Sequence, residues 1–368
     1  MKHLKAFRFR LYPTGAQREY FLKVFGCVRF IYNKMLNDKI EFYKSTGAIL
    51  NNTPAMYKEE FPWLREVDSL ALANAQINLQ KAFNNFFRSP KTGFPKFKSK
   101  KHSKDSYTTN NQGGSIYING GHIKLPKIDL IKIKQHRLLP DKSIIKSVTI
   151  TKEKSNKYYA SILAEYELII QENQLNIENS IGLDYSSHDF YVDNFGNKAD
   201  YPKFYRKHQD VSAREQRKLS KMLQGSNNYE KQRIRIATIQ EKIHSCRLDF
   251  LHKLSTKLAN NYDYVFVEDI NLRGLAQCLK LGKSTNDNSF GEFRTLLKYK
   301  MYERGKVFYK IDKWEPTSQT CHICGYKNSE IKNLSIRSWQ CLNCGVSLDR
   351  DINAAINIRN AGIIAFSN

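Results

Sequence analysis

Two Cys-x2-Cys pairs, Cys321/Cys324 and Cys341/Cys344, lie sixteen residues apart, and each is followed by a glycine, Gly325 and Gly345. Thiolates at that spacing, with glycines that let the backbone turn tightly, describe a four-cysteine zinc ribbon. Directly after the second pair comes Leu348-Asp349-Arg350-Asp351-Ile352-Asn353-Ala354-Ala355, in which an acid opens a helix. Two more acids end apolar runs: Asp184 follows Ile181-Gly182-Leu183, and Glu268 follows Tyr264-Val265-Phe266-Val267. Carboxylates gathered at strand ends can share space only if cations neutralise them. A pair of Mg²⁺ ions about 3.5 to 4 Å apart does so while clamping the attacking and leaving oxygens of a phosphodiester. The implied chemistry is metal-dependent hydrolysis of nucleic acid, with Asp184, Glu268 and Asp351 holding catalytic Mg²⁺ and the four cysteines holding one structural Zn²⁺. Asp269 could take the place of Glu268, and Asp349 that of Asp351, which would then act mainly as a helix cap.

The elements that must position these groups are legible in outline. Residues 4 to 11 alternate as a strand with one basic face, and Pro13-Thr14-Gly15 breaks it. Thr14 can cap a helix through roughly Asp38 whose stripe is Phe21, Leu22, Phe25, Val28, Phe30 and Ile31. A second helix is expected over about Ser69 to Arg88. Strand patterns then occupy Ile116-Tyr117-Ile118, Ile123 to Leu125, Val148-Thr149-Ile150 and Tyr158 to Tyr166, with a turn at Gly120-Gly121. After a polar linker at Gln171 to Asn179, Ser180 opens a new domain. Its two apolar strands end in Asp184 and Glu268, with a hairpin partner at Tyr191 to Gly196. Residues 203 to 257 read as helical, Gly282 to Ser289 as a polar loop, Gly291 to Arg304 as a helix, Lys306 to Ile311 as a strand, and Asp351 to about Asn360 as the last helix.

Sixty Lys and Arg stand against thirty-five Asp and Glu, a net charge of +25 over 368 residues, which points to a polyanionic partner. With 41% hydrophobic residues the chain is globular, and its length accommodates two or three domains. No run of eighteen apolar residues and no signal-peptide pattern at Met1-Lys2-His3-Leu4-Lys5 speak for membrane or export. Cys27, Cys246 and Cys278 read as small hydrophobes, and an odd cysteine count without a disulfide framework fits a reducing cytosol. The positive charge is concentrated. Arg88 to Lys104 holds seven Lys or Arg and no acid, with Phe94 and Phe97 interleaved, so Lys96, Lys98, Lys100 and Lys101 are expected on nucleic acid. Residues 203 to 257 hold fourteen Lys or Arg against five acids, and Arg214, Arg217, Lys218, Arg233 and Arg235 are expected there in the same role.

The chain also resembles the TnpB family, transposon-encoded RNA-guided nucleases related to type V CRISPR effectors. The resemblance is carried by Lys5-Ala6-Phe7-Arg8-Phe9-Arg10-Leu11-Tyr12-Pro13, Phe94-Pro95-Lys96-Phe97-Lys98-Ser99-Lys100, Arg247 to Leu254, Trp314 to Cys321 and, most diagnostically, Asp349 to Ile358. It implies an α+β multidomain fold. A β-barrel wedge domain (1–11 and 107–172) would be interrupted by a helical recognition domain (12–106). After a linker (173–179), an RNase H-like, RuvC-type nuclease domain (180–316 and 347–368) would be interrupted by the zinc ribbon (317–346). It implies a guide RNA from the element's own end, a double-stranded DNA target found by pairing with that guide, and a short adjacent motif read by the helical domain and the segment near Tyr107 to Asn111, hence Tyr107 and Thr109 as contacts. Asp184, Glu268 and Asp351 match the family's catalytic triad. The resemblance further implies a monomeric protein within a ribonucleoprotein, in the cytoplasm of a bacterium or archaeon, at the nucleoid. The chain stops at Asn368, without the longer tail some relatives carry. A guide-dependent repressor that no longer cuts, a strand-joining transposase and a plain zinc-ribbon factor are the rival functions. Three intact acids count against the first, the absence of a His-x-His metal motif against the second, and the ribbon's small share of the chain against the third.

Overall fold

The computed structural model describes residues 1–170, 174–278 and 282–367. The chain divides into two compact units, Met1–Leu168 and Ile169–Asn368. The boundary expected at 172/173 falls among residues 171–173, outside the described residues.

The first unit begins with strand β1 (Lys2–Tyr12), then helices α1 (Gly15–Thr46) and α2 (Ser69–Arg88). Six more strands follow: β2 (Asp105–Asn110), β3 (Tyr117–Asn119), β4 (His122–Leu125), β5 (Ile128–Lys134), β6 (Ile144–Lys152) and β7 (Tyr158–Glu167). They form one antiparallel sheet in the order β2-β6-β7-β1-β5-β4-β3, so the first strand lies at its centre between β7 and β5. Thr14 caps α1 through a reciprocal pair with Gln17, and Gly47, at φ +68°, ends it in the left-handed conformation that glycine adopts without strain. The helix runs eight residues beyond the expected Asp38. Phe21, Phe25, Val28 and Ile31 of α1 and Leu72, Ala75 and Leu79 of α2 pack with Phe7, Phe9 and Leu11 of β1 in a single core.

β2 was not apparent from the sequence because it is short and bounded by Asp105 and Asn110, residue types depleted in strands. It pairs with β6, Tyr107 opposite Ile150 and Thr109 opposite Val148, and both residues face the core.

The second unit holds β8 (Ser180–Ser186), β9 (Phe190–Asp193), α3 (Phe204–Ser220), α4 (Asn227–Asn261), β10 (Tyr264–Glu268), α5 (Leu272–Cys278), α6 (Gly282–Asn288), α7 (Phe290–Tyr302) and β11 (Val307–Ile311). It closes with β12 (Ser338–Gln340), β13 (Ser347–Asp349) and α8 (Arg350–Ser367). The stretch expected as one helical region is two helices, because Gly225 at φ +87° turns the chain and Ser226 caps α4. The expected loop at 282–288 is helix α6. The main sheet has the order β11-β10-β8-β9, with β8, β10 and β11 parallel and β9 antiparallel.

This sheet is covered on both faces, as parallel strands require. Ile181, Leu183, Val265 and Val267 point to one face and pack with Leu251 and Leu258 of α4 and Phe293 and Leu297 of α7. The alternate residue Phe266 points to the other face and packs with Ile358 of α8. No helix among the described residues is long and apolar enough to cross a membrane.

Candidate active site and metal centre

Strand alternation decides where the acids point. Gly182 pairs with Phe266 and Leu183 with Val267, so Asp184 and Glu268 are the next residues on two adjacent parallel strands, whose spacing is about 4.8 Å. They share the face of Gly182 and Phe266, because side chains repeat every second residue. That face is the one α8 covers. A Cβ at Gly182 would collide with the Ala355 carbonyl oxygen and lie 2.7 Å from the Arg359 nitrogen, and a Cβ at Gly362 would collide with the Phe266 ring. Two glycines, one in the strand and one in the helix, therefore let α8 lie directly on β8 and β10. Asp351 sits one turn before Ala355, as the second residue of α8. Arg359 fastens the same helix to β8 through the Ser180 hydroxyl, 2.9 Å away.

Asp184 feels the other two carboxylates. Burial, and after it the charges of Asp351 and Glu268, push the Asp184 carboxyl well above the ordinary aspartate range, against the opposing pull of Arg350 and the Tyr185 N–H. Burial also pushes Glu268 up. Asp351 is paired with Arg337 at 3.5 Å.

The alternatives are used elsewhere. Asp269 is exposed and ion-paired to Lys310 at 2.9 Å and Arg294 at 3.6 Å. Asp349 is the helix cap, its Oδ1 accepting the Asp351 and Ile352 N–H groups at 3.0 and 2.9 Å. Asp351 is thereby left free of capping duty.

A consequence for pH follows. Folded Asp184 holds its proton more tightly than an unfolded aspartate, which titrates near about 3.9. Its effect on stability is therefore nil below that pH, and stability is lost as pH rises through the raised folded value. We expect the melting temperature of the metal-free wild type to fall, relative to Asp184→Asn, as pH is raised through this window, and Mg²⁺ to reverse the fall. Parallel profiles for the two proteins would show that the carboxylates do not crowd one another.

Among the described residues, the four cysteines are the group of three or more His, Cys, Asp or Glu drawn tightly enough to hold a metal ion, their sulfurs all lying within 4.8 Å of one another. Two of the contacts are 3.7 Å (Cys321 to Cys344) and 3.5 Å (Cys324 to Cys341). A zinc tetrahedron with Zn–S bonds of about 2.3 Å has edges of about 3.8 Å, so the set fits that ion. The two halves are built alike. Gly325 and Gly345, at φ +74° and +71°, donate to the carbonyls of Cys321 and Cys341, both at 2.9 Å. Hydrogen bonds, first from Asn343 and then from the Tyr326 backbone, draw the Cys324 thiol down to about 6. Cys344 is pushed up to about 12: the Val346 backbone favours its thiolate, but desolvation and the bonds to the other three sulfurs outweigh it. Four thiols this close cannot all ionise without a cation.

The ribbon is tied to α8 by two asparagines that sequence reasoning passed over. Asn353, fully buried, accepts from the His322 backbone N–H at 3.0 Å and lies 3.0 Å from its Nδ1, while its Nδ2 donates to the Thr320 carbonyl at 2.8 Å. Asn357 Nδ2 donates to the Thr317 and Thr320 carbonyls at 2.8 and 2.6 Å. Their signal in the sequence was the pair of asparagines one helical turn apart, set among Ile352, Ala354, Ala355, Ile356 and Ile358, which marks a polar partner to be found.

The basic residues divide. Lys96, Lys100 and Lys101 are exposed. Lys98 instead lays its Nζ 3.8 Å over the Tyr32 ring, and its backbone is held by Asn33. Tyr107 and Thr109 are buried, which corrects the expectation that these two side chains touch nucleic acid: Tyr107 packs between Phe21 and Phe25, and Thr109 hydrogen-bonds Asp68, the cap of α2. The Thr109 hydroxyl already has a structural use. In the α3–α4 hairpin, Glu215 is fully buried and draws in Lys218 (3.1 Å), Arg235 (3.3 Å) and Arg214 (3.5 Å). The hydrogen bond from Gln232, and then that from Lys218, hold its carboxyl down to about 2. Arg217 is exposed, and Arg233 pairs with Glu230 at 2.7 Å. Cys27 is buried and Cys246 half-buried, whereas the side chain of Cys278 lies outside the described residues.

Comparison with known proteins settles the family. A protein of Streptomyces pristinaespiralis, provisionally named an RNA-guided DNA endonuclease, is 33% identical over 98% of this chain and 90% of its own length. The chain belongs to the TnpB family. A second TnpB relative, from Escherichia coli K12 and provisionally named RNA-guided DNA endonuclease InsQ, is 28% identical over 98% of this chain and 93% of its own. Family models match in three places: "Cas12f1-like, TNB domain" at residues 290–358, "Probable transposase" at 150–279 and "Helix-turn-helix domain" at 1–48. The last of these spans strand β1 and the single long helix α1. The Cas12f1 chain of a complex with single-guide RNA and target DNA superposes with a TM-score of 0.64 at 13% identity, covering 98% of this chain and 99% of that one, so this TnpB shares that fold.

Gly182 is a position where this fold tolerates no side chain. Gly182→Ala is expected to destabilise the protein by about 1–3 kcal/mol, the usual scale of overpacking, and to lift α8 with Asp351. Urea unfolding would register the first effect; an unchanged midpoint would mean that α8 does not lie against β8.

Proposed function

We propose that the protein is an RNA-guided DNA endonuclease of a transposon, cutting target DNA beside a short motif that the protein itself reads. The observation that carries this reading is the convergence of Asp184, within β8, and Glu268, the last residue of the paired strand β10, on the face covered by the helix of Asp351. The names of the full-length relatives and the fold shared with Cas12f1 support it.

In this reading Asp184, Glu268 and Asp351 hold two Mg²⁺ ions. Bound there, the ions would supply stabilisation of the attacking and leaving oxygens of the phosphodiester. The chain's own part would be to present three carboxylates from a rigid sheet and a helix packed on it, Asp351 being paired with Arg337 in the metal-free protein. The cysteine set holds Zn²⁺ and keeps residues 317–346 folded. Residues 1–11 and 107–172 serve as the wedge domain, 12–106 as the recognition domain, and 180–316 with 347–368 as the RuvC-like nuclease, acting as a monomer on a guide RNA and double-stranded DNA. The exposed cations Lys96, Lys100, Lys101 and Arg217, and the Glu215-ordered group Arg214, Lys218 and Arg235, bind phosphate backbone.

The test is to express the protein with the DNA flanking its gene, purify it, and sequence the RNA that accompanies it. A discrete RNA mapping beside the gene, which directs Mg²⁺-dependent cutting of matched DNA, is the expected result. Random cellular RNA would overturn the guided part of the proposal.

A further inference from the structure

The last two turns of α2 lie at the edge of the core that holds the rest of that helix, with Phe83 still packed against it. Its buried residues stop at Leu79. Past that point Phe83, Phe86 and Phe87 gather with Phe94 from the following loop. Phe94 meets Phe83 and Phe86 edge-on, with centroids 5.6 and 5.5 Å apart, and Phe87 stacks on Phe83 at 6.3 Å. The group is not a buried core: Phe87 is 72% exposed and Phe94 46%. An aromatic cluster left in water at the end of a helix marks an interaction surface.

The charge around it selects the partner. From Ser69 to Lys104 the sequence contains no Asp or Glu. Lys81, Arg88, Lys91 and Lys96, all exposed, flank the rings along the chain, each within three residues of one of them. An uncharged partner would need the apolar surface alone. Rings framed by cations, with no acid among them, instead suit a chain that offers flat π faces and phosphates together.

We propose that Phe87 and Phe94 form a stacking platform for the unpaired bases of a DNA strand, with the surrounding cations on its phosphates. The choice of unpaired DNA rests on the function proposed above: once the guide pairs with one strand of the target, the other strand has free base faces, whereas duplex and hybrid bases are already stacked.

The experiment is fluorescence anisotropy with the full-length protein and labelled oligothymidylate, duplex DNA and oligouridylate of equal length, at one salt concentration. Wild type is expected to bind oligothymidylate in preference to the duplex. Phe87→Leu/Phe94→Leu, which keeps the apolar surface and removes the rings, is expected to weaken oligothymidylate binding about 10-fold or more and to leave duplex binding unchanged. Phe87→Tyr/Phe94→Tyr is expected to retain the affinity. Unchanged binding by the leucine variant, an equal loss on the duplex, or a clear preference for oligouridylate would each overturn the proposal. The measurement uses neither guide nor cleavage. Failure here, with a gene-adjacent RNA still copurifying, removes only the platform, and an intact ring effect without such an RNA removes only the guided reading.

Discussion

Asp184→Asn is expected to lower Mg²⁺-dependent cutting of guide-matched DNA by about 10⁴-fold or more, the scale seen when a cooperating catalytic group loses a member, while guide and target binding remain. The substitution preserves shape and removes one charge from a face where three carboxylates meet. That charge is costly in the metal-free protein, because burial and the two neighbouring acids already oppose it. The variant should therefore melt at the same temperature as wild type, or higher, above the ordinary carboxylate range. Cleavage of end-labelled target, read beside a melting curve and a gel shift, distinguishes this from a folding defect. Residual cutting near the wild-type rate would remove Asp184 from the site.

Loss of the ribbon's metal should have a wider effect. Cys321→Ser, or chelation, removes the closure of a segment whose own core comprises Cys321, Ile331, Trp339, Cys341 and Leu348. So small a core cannot hold a fold alone, and structural zinc contributes about 10–16 kcal/mol in isolated zinc-finger peptides. Unfolding of the ribbon would withdraw the carbonyls of Thr317 and Thr320 and the His322 amide from Asn353 and Asn357. The first turns of α8 should then fray and carry Asp351 with them. Hydrogen exchange is expected to show loss of protection in residues 350–357 together with the ribbon, while β8 and β10 stay protected and cutting falls. Full protection of α8 in a metal-free protein would show that the helix holds Asp351 unaided.

Much of this was legible because local signals agreed with the tertiary ones. The helix over Ser69–Arg88, the apolar strand ending in Glu268 and the spacing of the cysteines reappear in the structure, while the strand of Asp184 runs two residues further, to Ser186. What escaped notice depended on partners distant in the chain. β2 looks like a polar linker until Tyr107 and Thr109 are seen to face α1 and α2. Residues 282–288 are rich in turn-formers, yet α6 forms there with Asp287 receiving the Tyr201 hydroxyl and the Tyr205 N–H. The capping role went to Asp349 rather than Asp351, a choice set by two backbone N–H groups that composition cannot reveal. Gly182 did carry a signal, since an isolated glycine in an apolar strand marks close backbone approach, but only the structure names the helix that approaches.

The order in which the acids leave the ribosome matters as well. A polypeptide interrupted by a premature stop anywhere between β11 and α8 would possess Asp184 and Glu268 but neither Asp351 nor the cover over Phe266, which is fully buried beneath that helix in the finished protein. Such a fragment would expose an apolar sheet face to quality-control proteases and lack a complete set of carboxylates. Errors of translation or frameshifts in this gene should consequently yield silent, short-lived products and not unguided nucleases that threaten the host chromosome.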